Sequence, residues 1–352
     1  VNRARVRCIS LREEYDKSRE SFGWWELERV ERALSAYKEQ NGLRDFTDML
    51  VEYLDRGAVP VLEALFVDEA QDLSALQWML IRHLMKETEA RVYIAGDDDQ
   101  AIFRWAGADV ETFVDLAGEV NVLRQSYRVP RAVQRVASGL VQRIGHRRPK
   151  DWVARPEAGS VHYAMRPEQV DMSDGTWLVL ARNKMQLRGL SDWCRRHGWH
   201  YSWFHEPSVS QKMLDAVTSW EAFRKERKDD DWKRACEYIT NGQQKALSAS
   251  RNLGPWFESL DRISHADREY IRAILRRGGR IGGVPRIALS TIHSAKGGEA
   301  DHVLLLTDIL RRSHDEMRRF PDDEVRVFYV GATRARESLH IVKPRTKFYF
   351  KI

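Results

Sequence analysis

Two acidic residues in succession, Asp68 and Glu69, close an apolar run, Val61-Leu62-Glu63-Ala64-Leu65-Phe66-Val67. A carboxylate pair at such a tip suits a magnesium–nucleotide site: one holds the hard cation, directly or through water, and the other activates water. Alone, the pair reads equally well as a solvated turn. A second cluster, Gly96-Asp97-Asp98-Asp99-Gln100-Ala101-Ile102-Phe103-Arg104-Trp105, follows the next apolar run, Arg91-Val92-Tyr93-Ile94-Ala95. The Gln100 amide can read a phosphate. Phe103 and Trp105 offer rings on which bases stack, worth about 1–3 kcal/mol per base, although aromatic residues at this spacing also suit an ordinary core.

Clusters of this kind need elements to hold them. The strand-length apolar runs recur at Trp177–Ala181, Ile287–Thr291, Val303–Leu306 and Leu339–Val342, each bounded by polar turns. Strands alternating with helices predict an α/β architecture with parallel sheets, whose ligands gather outside the carboxyl ends of the strands. An amphipathic helix is expected over Glu26–Gln40, with Leu27, Val30, Leu34 and Tyr37 on one face. Others are expected through Phe46–Leu54, closed by Gly57, and over Leu76–Met85. From about 190 to 284 the rhythm gives way to charged helices, and half of the tryptophans (Trp193, Trp199, Trp203, Trp220, Trp232 and Trp256) fall there. This stretch is expected to be a mostly helical insertion. Arg276-Arg277-Gly278-Gly279-Arg280-Ile281-Gly282-Gly283 then reads as a return linker, with a basic nucleic-acid contact as the alternative.

Composition bounds the class. With 352 residues, 43% hydrophobic and 31% charged, the chain reads as globular. No apolar run approaches the roughly 18–20 residues that span a bilayer, so no membrane partner is expected. The first residues lack an apolar leader core, and Cys8, Cys194 and Cys236 give no disulfide framework, so a cytoplasmic setting is expected. The net charge of +6 is compatible with a nucleic-acid partner. Cys194, His197, His200 and His205 invite a zinc reading. A helix ending near His197 followed by an alternating Trp199–Trp203 run would send those ligands apart, so no zinc is expected.

Taken in order, the clusters resemble the motifs of superfamily 1 DNA helicases of the UvrD/Rep/PcrA type. Val67-Asp68-Glu69-Ala70-Gln71-Asp72 resembles their Walker B motif, and the Gly96–Ala108 cluster their third motif. Gln125-Ser126-Tyr127-Arg128 is similar to the fourth, with Ser126 where the family usually has Asn, and Leu180-Ala181-Arg182-Asn183 to the one after it. Ser290-Thr291-Ile292-His293-Ser294-Ala295-Lys296-Gly297-Gly298-Glu299 resembles the fifth, in a form nearer to phage-type members. Tyr329-Val330-Gly331-Ala332-Thr333-Arg334-Ala335 resembles the sixth, and Asp45-Phe46-Thr47-Asp48-Met49-Leu50 is similar to a segment upstream of Walker B. The resemblance implies ATP and Mg²⁺ as cofactors. It implies that Asp68 holds the magnesium, that Glu69 is the general base, and that Gln100, Arg128 and Arg334 meet the γ-phosphate. Tyr127 would stack on adenine, Glu299 would take the ribose, and Gln71 would join the nucleotide site. Phe103 and Trp105 would stack on DNA bases, with Arg182, Asn183, Thr291 and His293 on the DNA backbone.

The implied architecture is two RecA-like parallel-sheet domains, the first incomplete, with a mostly helical inserted subdomain. Residues 1–42 are expected to be a remnant of a helical insertion, 43–118 a partial first domain, 119–189 with 285–352 the second, and 190–284 a reduced accessory insertion. The implied function is ATP-dependent translocation on single-stranded DNA, 3′ to 5′, with unwinding of duplex DNA, and accessory replication or repair proteins as partners in a bacterial or phage-infected cell. One part is missing. A G-x-x-x-x-G-K-[ST] loop, whose amides cradle phosphates, occurs nowhere in the 352 residues. The expectation is an N-terminally truncated motor, inactive by itself. The alternatives are a non-catalytic single-stranded-DNA- or partner-binding protein derived from a helicase, and one half of a split motor.

Overall fold

In a computed structural model of the chain, residues 1–18, 22–250, 253–279 and 284–352 are described. Two compact units emerge. The first comprises Val1–Gln125, Ser138–Val153 and Met317–Val330, and the second Ser126–Ala137, Ala154–Glu316 and Gly331–Ile352.

The first unit is built on two parallel strands, β1 (Ala64–Val67) and β2 (Arg91–Ile94), in register from Ala64 opposite Arg91 to Val67 opposite Ile94. Because strand side chains alternate, Leu65, Val67 and Ile94 turn to one face. There they pack with Trp78 of the connecting helix Ala75–Glu87 and with Phe113. The other face carries Phe66 and Tyr93, which stack at 4.9 Å and stay largely exposed. Ser74 and Gln77 start the connecting helix as a capping box, Gln77 Oε1 accepting from the Ser74 amide at 2.8 Å. The D-F-T-D segment does the same for helix Phe46–Arg56: Asp45 and Asp48 accept from each other's amides at 2.8 and 2.9 Å. The helix expected over Glu26–Gln40 forms as Trp24–Gln40, but Val30, Leu34 and Tyr37 remain exposed.

Strands β3 (Gln125–Pro130) and β4 (Val153–Arg155) pair as a short sheet. The second unit is organised by a seven-stranded sheet of β5 (Ser160–Ala164), β6 (Trp177–Ala181), β7 (Tyr201–Trp203), β8 (Glu206–Pro207), β9 (Ile287–Thr291), β10 (Ala300–Leu306) and β11 (Ala335–Val342). Their order is β5-β11-β10-β6-β9-β7-β8, parallel except for the terminal β7–β8 pair. The mixed α/β architecture with parallel sheets is the expected fold class. Strands β6 and β9 carry the boundaries expected from sequence. Both are central and buried, and nearly unbroken apolar runs mark such strands clearly.

The expected domain boundaries differ from these units in two ways. Ser138–Val153 and Met317–Val330 belong with the first unit. Among the described residues of the stretch 190–284, Trp220, Leu260 and Ile274 from its helices share one core cluster with Trp177, Val179 and Leu289 of the sheet. The stretch also contributes β7, which pairs with β9. The expected linker begins inside helix His265–Arg276, and its last four residues, 280–283, lie outside the described residues.

Candidate functional site

In the first unit the parallel pairing of β1 and β2 brings Asp68-Glu69 and Gly96-Asp97 side by side, one to three residues beyond neighbouring strand ends. The backbone locks them together: Ala95 donates to the Val67 carbonyl at 2.8 Å and Ala70 to the Ala95 carbonyl at 3.0 Å. Glu69 sits at φ 49°, ψ 37°. That left-handed conformation costs a residue with a Cβ roughly 1–2 kcal/mol, and it turns the chain sharply at the candidate general base. Asp68 Oδ1 accepts from the Glu69 amide at 2.8 Å, and Gln71 Nε2 donates to Glu69 Oε2 at 2.5 Å.

Gln71 is fully buried, and its Oε1 accepts from the Asp97 amide at 2.9 Å. Gly96 explains how the two segments come so close: a Cβ there would lie 2.5 Å from Gln71 Oε1 and 2.8 Å from Phe113. The Gln71 amide thus braces the two motifs against each other, buried beneath the site where a nucleotide contact was expected. Gln100 Nε2 donates to Asp97 Oδ2 at 2.6 Å, which joins the phosphate-reading candidate to the same network.

Asp68 is exposed at the strand tip, with an oxygen donor of the kind Mg²⁺ takes. Among the described residues no group of three or more His, Cys, Asp or Glu gathers as a metal site. One or two carboxylates completed by water and phosphate oxygens are the usual protein share of a magnesium–nucleotide site, so this donor set fits.

Sequence reasoning passed over what the other two aspartates do. Asp98 and Asp99 are buried. Arg147 grips Asp99 with two hydrogen bonds of 2.8 and 2.7 Å, and the Arg148 amide donates to Asp98 Oδ2 at 2.9 Å. Lys150 pairs with Asp97 at 3.0 Å, with Asp99 at 3.1 Å and with Asp98. Arg326, 1% exposed, donates to the Asp98 carbonyl at 2.8 Å. Opposite charge in the Arg147–Lys150 and Gly96–Gln100 segments is the only trace of this in the sequence, and nothing local pairs them.

Downstream, Phe103 and Trp105 lie with ring centroids 6.3 Å apart, and Trp105 is 61% exposed. Phe103 lines an open cleft of about 360 Å³ with Val6, Phe46, Leu50, Asp72 and Ala106. Gly107, at φ +113°, closes that loop against Val6, where a Cβ would stand 2.6 Å away.

The second unit groups its candidates at two ends of one sheet. Ala181 and Thr291 are opposite each other in β6 and β9, so Arg182, Asn183, Thr291 and His293 cluster at the carboxyl ends. Ala300 and Ala335 are opposite each other in β10 and β11, which puts Glu299 and Arg334 at the amino ends. Arg128 Nε meets Glu299 Oε2 at 2.7 Å and Arg336 meets Oε1 at 3.0 Å. The hydrogen bond from Arg128 is the chief reason the Glu299 carboxyl is held below its ordinary pKa. Arg334 is buried and donates to the Gly298 carbonyl at 3.4 Å.

Tyr127 is 84% exposed. Ser126 Oγ accepts from the amides of Val129 (3.1 Å) and Arg128 (3.4 Å), bracing the loop that carries both neighbours. Asn183 Oδ1 accepts from the Leu310 amide and its Nδ2 donates to Ser313 Oγ, both at 3.0 Å, so the side chain braces that loop. Thr291 is largely buried, and its hydroxyl accepts from the Ser294 amide at 3.2 Å.

Comparison with known proteins follows this geometry. The family profile of the UvrD/REP helicase N-terminal domain matches residues 9–121, and that of the UvrD-like helicase C-terminal domain matches 286–342. The ATP-dependent DNA helicase PcrA of Bacillus subtilis (strain 168) is 30% identical over 141 residues, 35% of this chain and 19% of that protein. A probable DNA helicase of Mycoplasma pneumoniae is 31% identical over 181 residues, 45% of this chain and 34% of that protein. The matched stretches thus span between 19% and 34% of these two relatives' length. The solved arterivirus nonstructural protein 10 (helicase) with DNA overlaps loosely, at a TM-score of 0.34 and 14% identity, covering 82% of this chain and 42% of that one.

Proposed function

The chain belongs to the UvrD/PcrA-type superfamily 1 helicases, and on that premise we propose that it is part of an ATP-dependent motor that moves on single-stranded DNA, 3′ to 5′, and unwinds duplex DNA. The observation that supports this most is the joined network at the tips of β1 and β2. A strained Glu69 stands beside Asp68 and is linked through Gln71 and Asp97 to Gln100. Residues that serve only phosphoryl transfer are of no evident use in a plain binding module.

In this reading Glu69 orients the attacking water and takes its proton. Asp68 holds Mg²⁺, which when bound would neutralise charge on the phosphates. Gln100 reads the γ-phosphate, Arg128 and Arg334 offset charge developing on the transferred group, and Tyr127 stacks on the base. Arg128 must leave Glu299 Oε2 to do so, which opens that oxygen to the ribose while Arg336 stays on Oε1. Phe103 and Trp105 stack on bases, and Arg182 and His293 take the DNA backbone.

The phosphate-cradling loop is absent from these 352 residues, so hydrolysis requires that loop from additional sequence. The test is DNA-stimulated ATP hydrolysis by the chain, beside a form extended to include such a loop. Turnover in the extended form, lost on Glu69→Gln with nucleotide binding retained, is the expected outcome. Turnover in neither form, with tight single-stranded DNA binding, would favour a binding protein derived from a helicase. Turnover only on mixing with a second polypeptide bearing the loop would favour a split motor. Polarity is read from translocation on strands labelled at either end.

A further inference from the structure

The ATPase reading leaves Lys150 without a task, yet its surroundings are unusual for a lysine. The side chain is 17% exposed and its ammonium meets Asp97, Asp98 and Asp99 together. An ammonium carries three donor hydrogens, so three acceptors saturate it. Asp98 and Asp99 have other partners in Arg148 and Arg147. Asp97 links this lysine to the glutamines: one of its oxygens takes Lys150 at 3.0 Å and the Asp99 amide at 3.2 Å, the other takes Gln100 Nε2 at 2.6 Å, and its amide donates to Gln71 Oε1 at 2.9 Å. Gln71 in turn donates to Glu69.

We propose that Lys150 is a positioning residue: it pins the Asp97 carboxylate, and through Asp97 it sets the orientation of Gln100 directly and of Glu69 by way of Gln71. Without the ammonium, a partly desolvated carboxylate gains by turning toward water. Turning breaks the bond that Gln100 Nε2 makes to Asp97 Oδ2 and so changes the setting of the Gln100 amide. The consequence for chemistry rests on the ATPase reading; the hydrogen-bond coupling does not.

The first test therefore needs no nucleotide. The 352-residue chain is labelled at glutamine side-chain amides, and the Gln71 and Gln100 signals are followed by NMR. Lys150→Met is expected to shift both signals in a protein that still melts cooperatively, and Lys150→Arg to restore them. Asp97→Asn keeps the side chain's shape while removing its charge, and it is expected to shift Gln100, which covers the case in which Lys150→Met fails to fold. Unmoved Gln71 and Gln100 signals in a folded variant would overturn the proposal.

The second test uses a polypeptide in which the wild type hydrolyses ATP. There Lys150→Met should lower kcat about tenfold with KM within about twofold, because positioning of a group that acts in the transition state is lost while ground-state binding is kept. An unchanged kcat would overturn the catalytic consequence. A wild type that never turns over ATP would overturn the ATPase reading, and the amide signals would still decide the coupling.

Discussion

Glu69, the proposed general base, sits in a strained backbone torsion, φ 49°. A glycine there adopts the left-handed region at little cost. Glu69→Gly is therefore expected to raise stability by up to about 1 kcal/mol, read by a thermal melt, while removing hydrolysis in a form extended to include the phosphate loop, read by an ATPase assay. An unchanged or lower melting temperature would mean that the bond from Gln71 outweighs the strain. Trp105 offers a complementary case. More than half exposed, it contributes little to the core. Trp105→Ala should leave the melt nearly unchanged and weaken single-stranded DNA binding by about 1–3 kcal/mol, measured by fluorescence anisotropy. Equal DNA affinity in the variant would remove Trp105 from the interface.

At the scale of elements, β5, β11 and β10 align their histidines. His162 and His340 are opposite each other and stack at 4.7 Å, and Ser338 Oγ bonds to both His302 (2.8 Å) and His340 (3.0 Å). Burial first, then the charges of His162 and His302, push the His340 pKa down to about 4. An unfolded chain binds this proton near pH 6.5, so between those values the unfolded state holds more protons than the folded one. Stability from this site is complete above about pH 6.5 and falls as the pH drops toward 4. Melting temperature against pH should show that decline, and His340→Gln should flatten it; a parallel curve in the variant would place the titration elsewhere. The β1–β2 sheet makes a second element-scale prediction. Its exposed Phe66–Tyr93 face is an association hazard. Phe66→Lys should reduce concentration-dependent light scattering of the 352-residue chain, with a melt close to that of the parent.

For the molecule as a whole, DNA affinity should fall with salt in proportion to the phosphates it neutralises, with a log–log slope of about −0.7 per contact on single strands. Trp105→Ala should shift that line without changing its slope, because stacking releases no counterions; a changed slope would show that the loop also carries charge contacts. Much of this protein was legible in order along the chain. The acidic pair at a strand tip, the amide and aromatics after the next strand, and the buried strands β6 and β9 all write themselves in local patterns of apolar run and polar stop. Sequence periodicity reports only which side of an element faces inward, over a few neighbouring residues. It could not show that Gln71 and Asn183 are braces, nor that 190–284 shares the core of the sheet. It also could not assign the partners of Asp97, Asp98 and Asp99 on a segment some fifty residues away. Those outcomes were decided by tertiary structure, because a buried polar group must find its partner wherever the fold brings one, and that distance along the chain leaves no local mark.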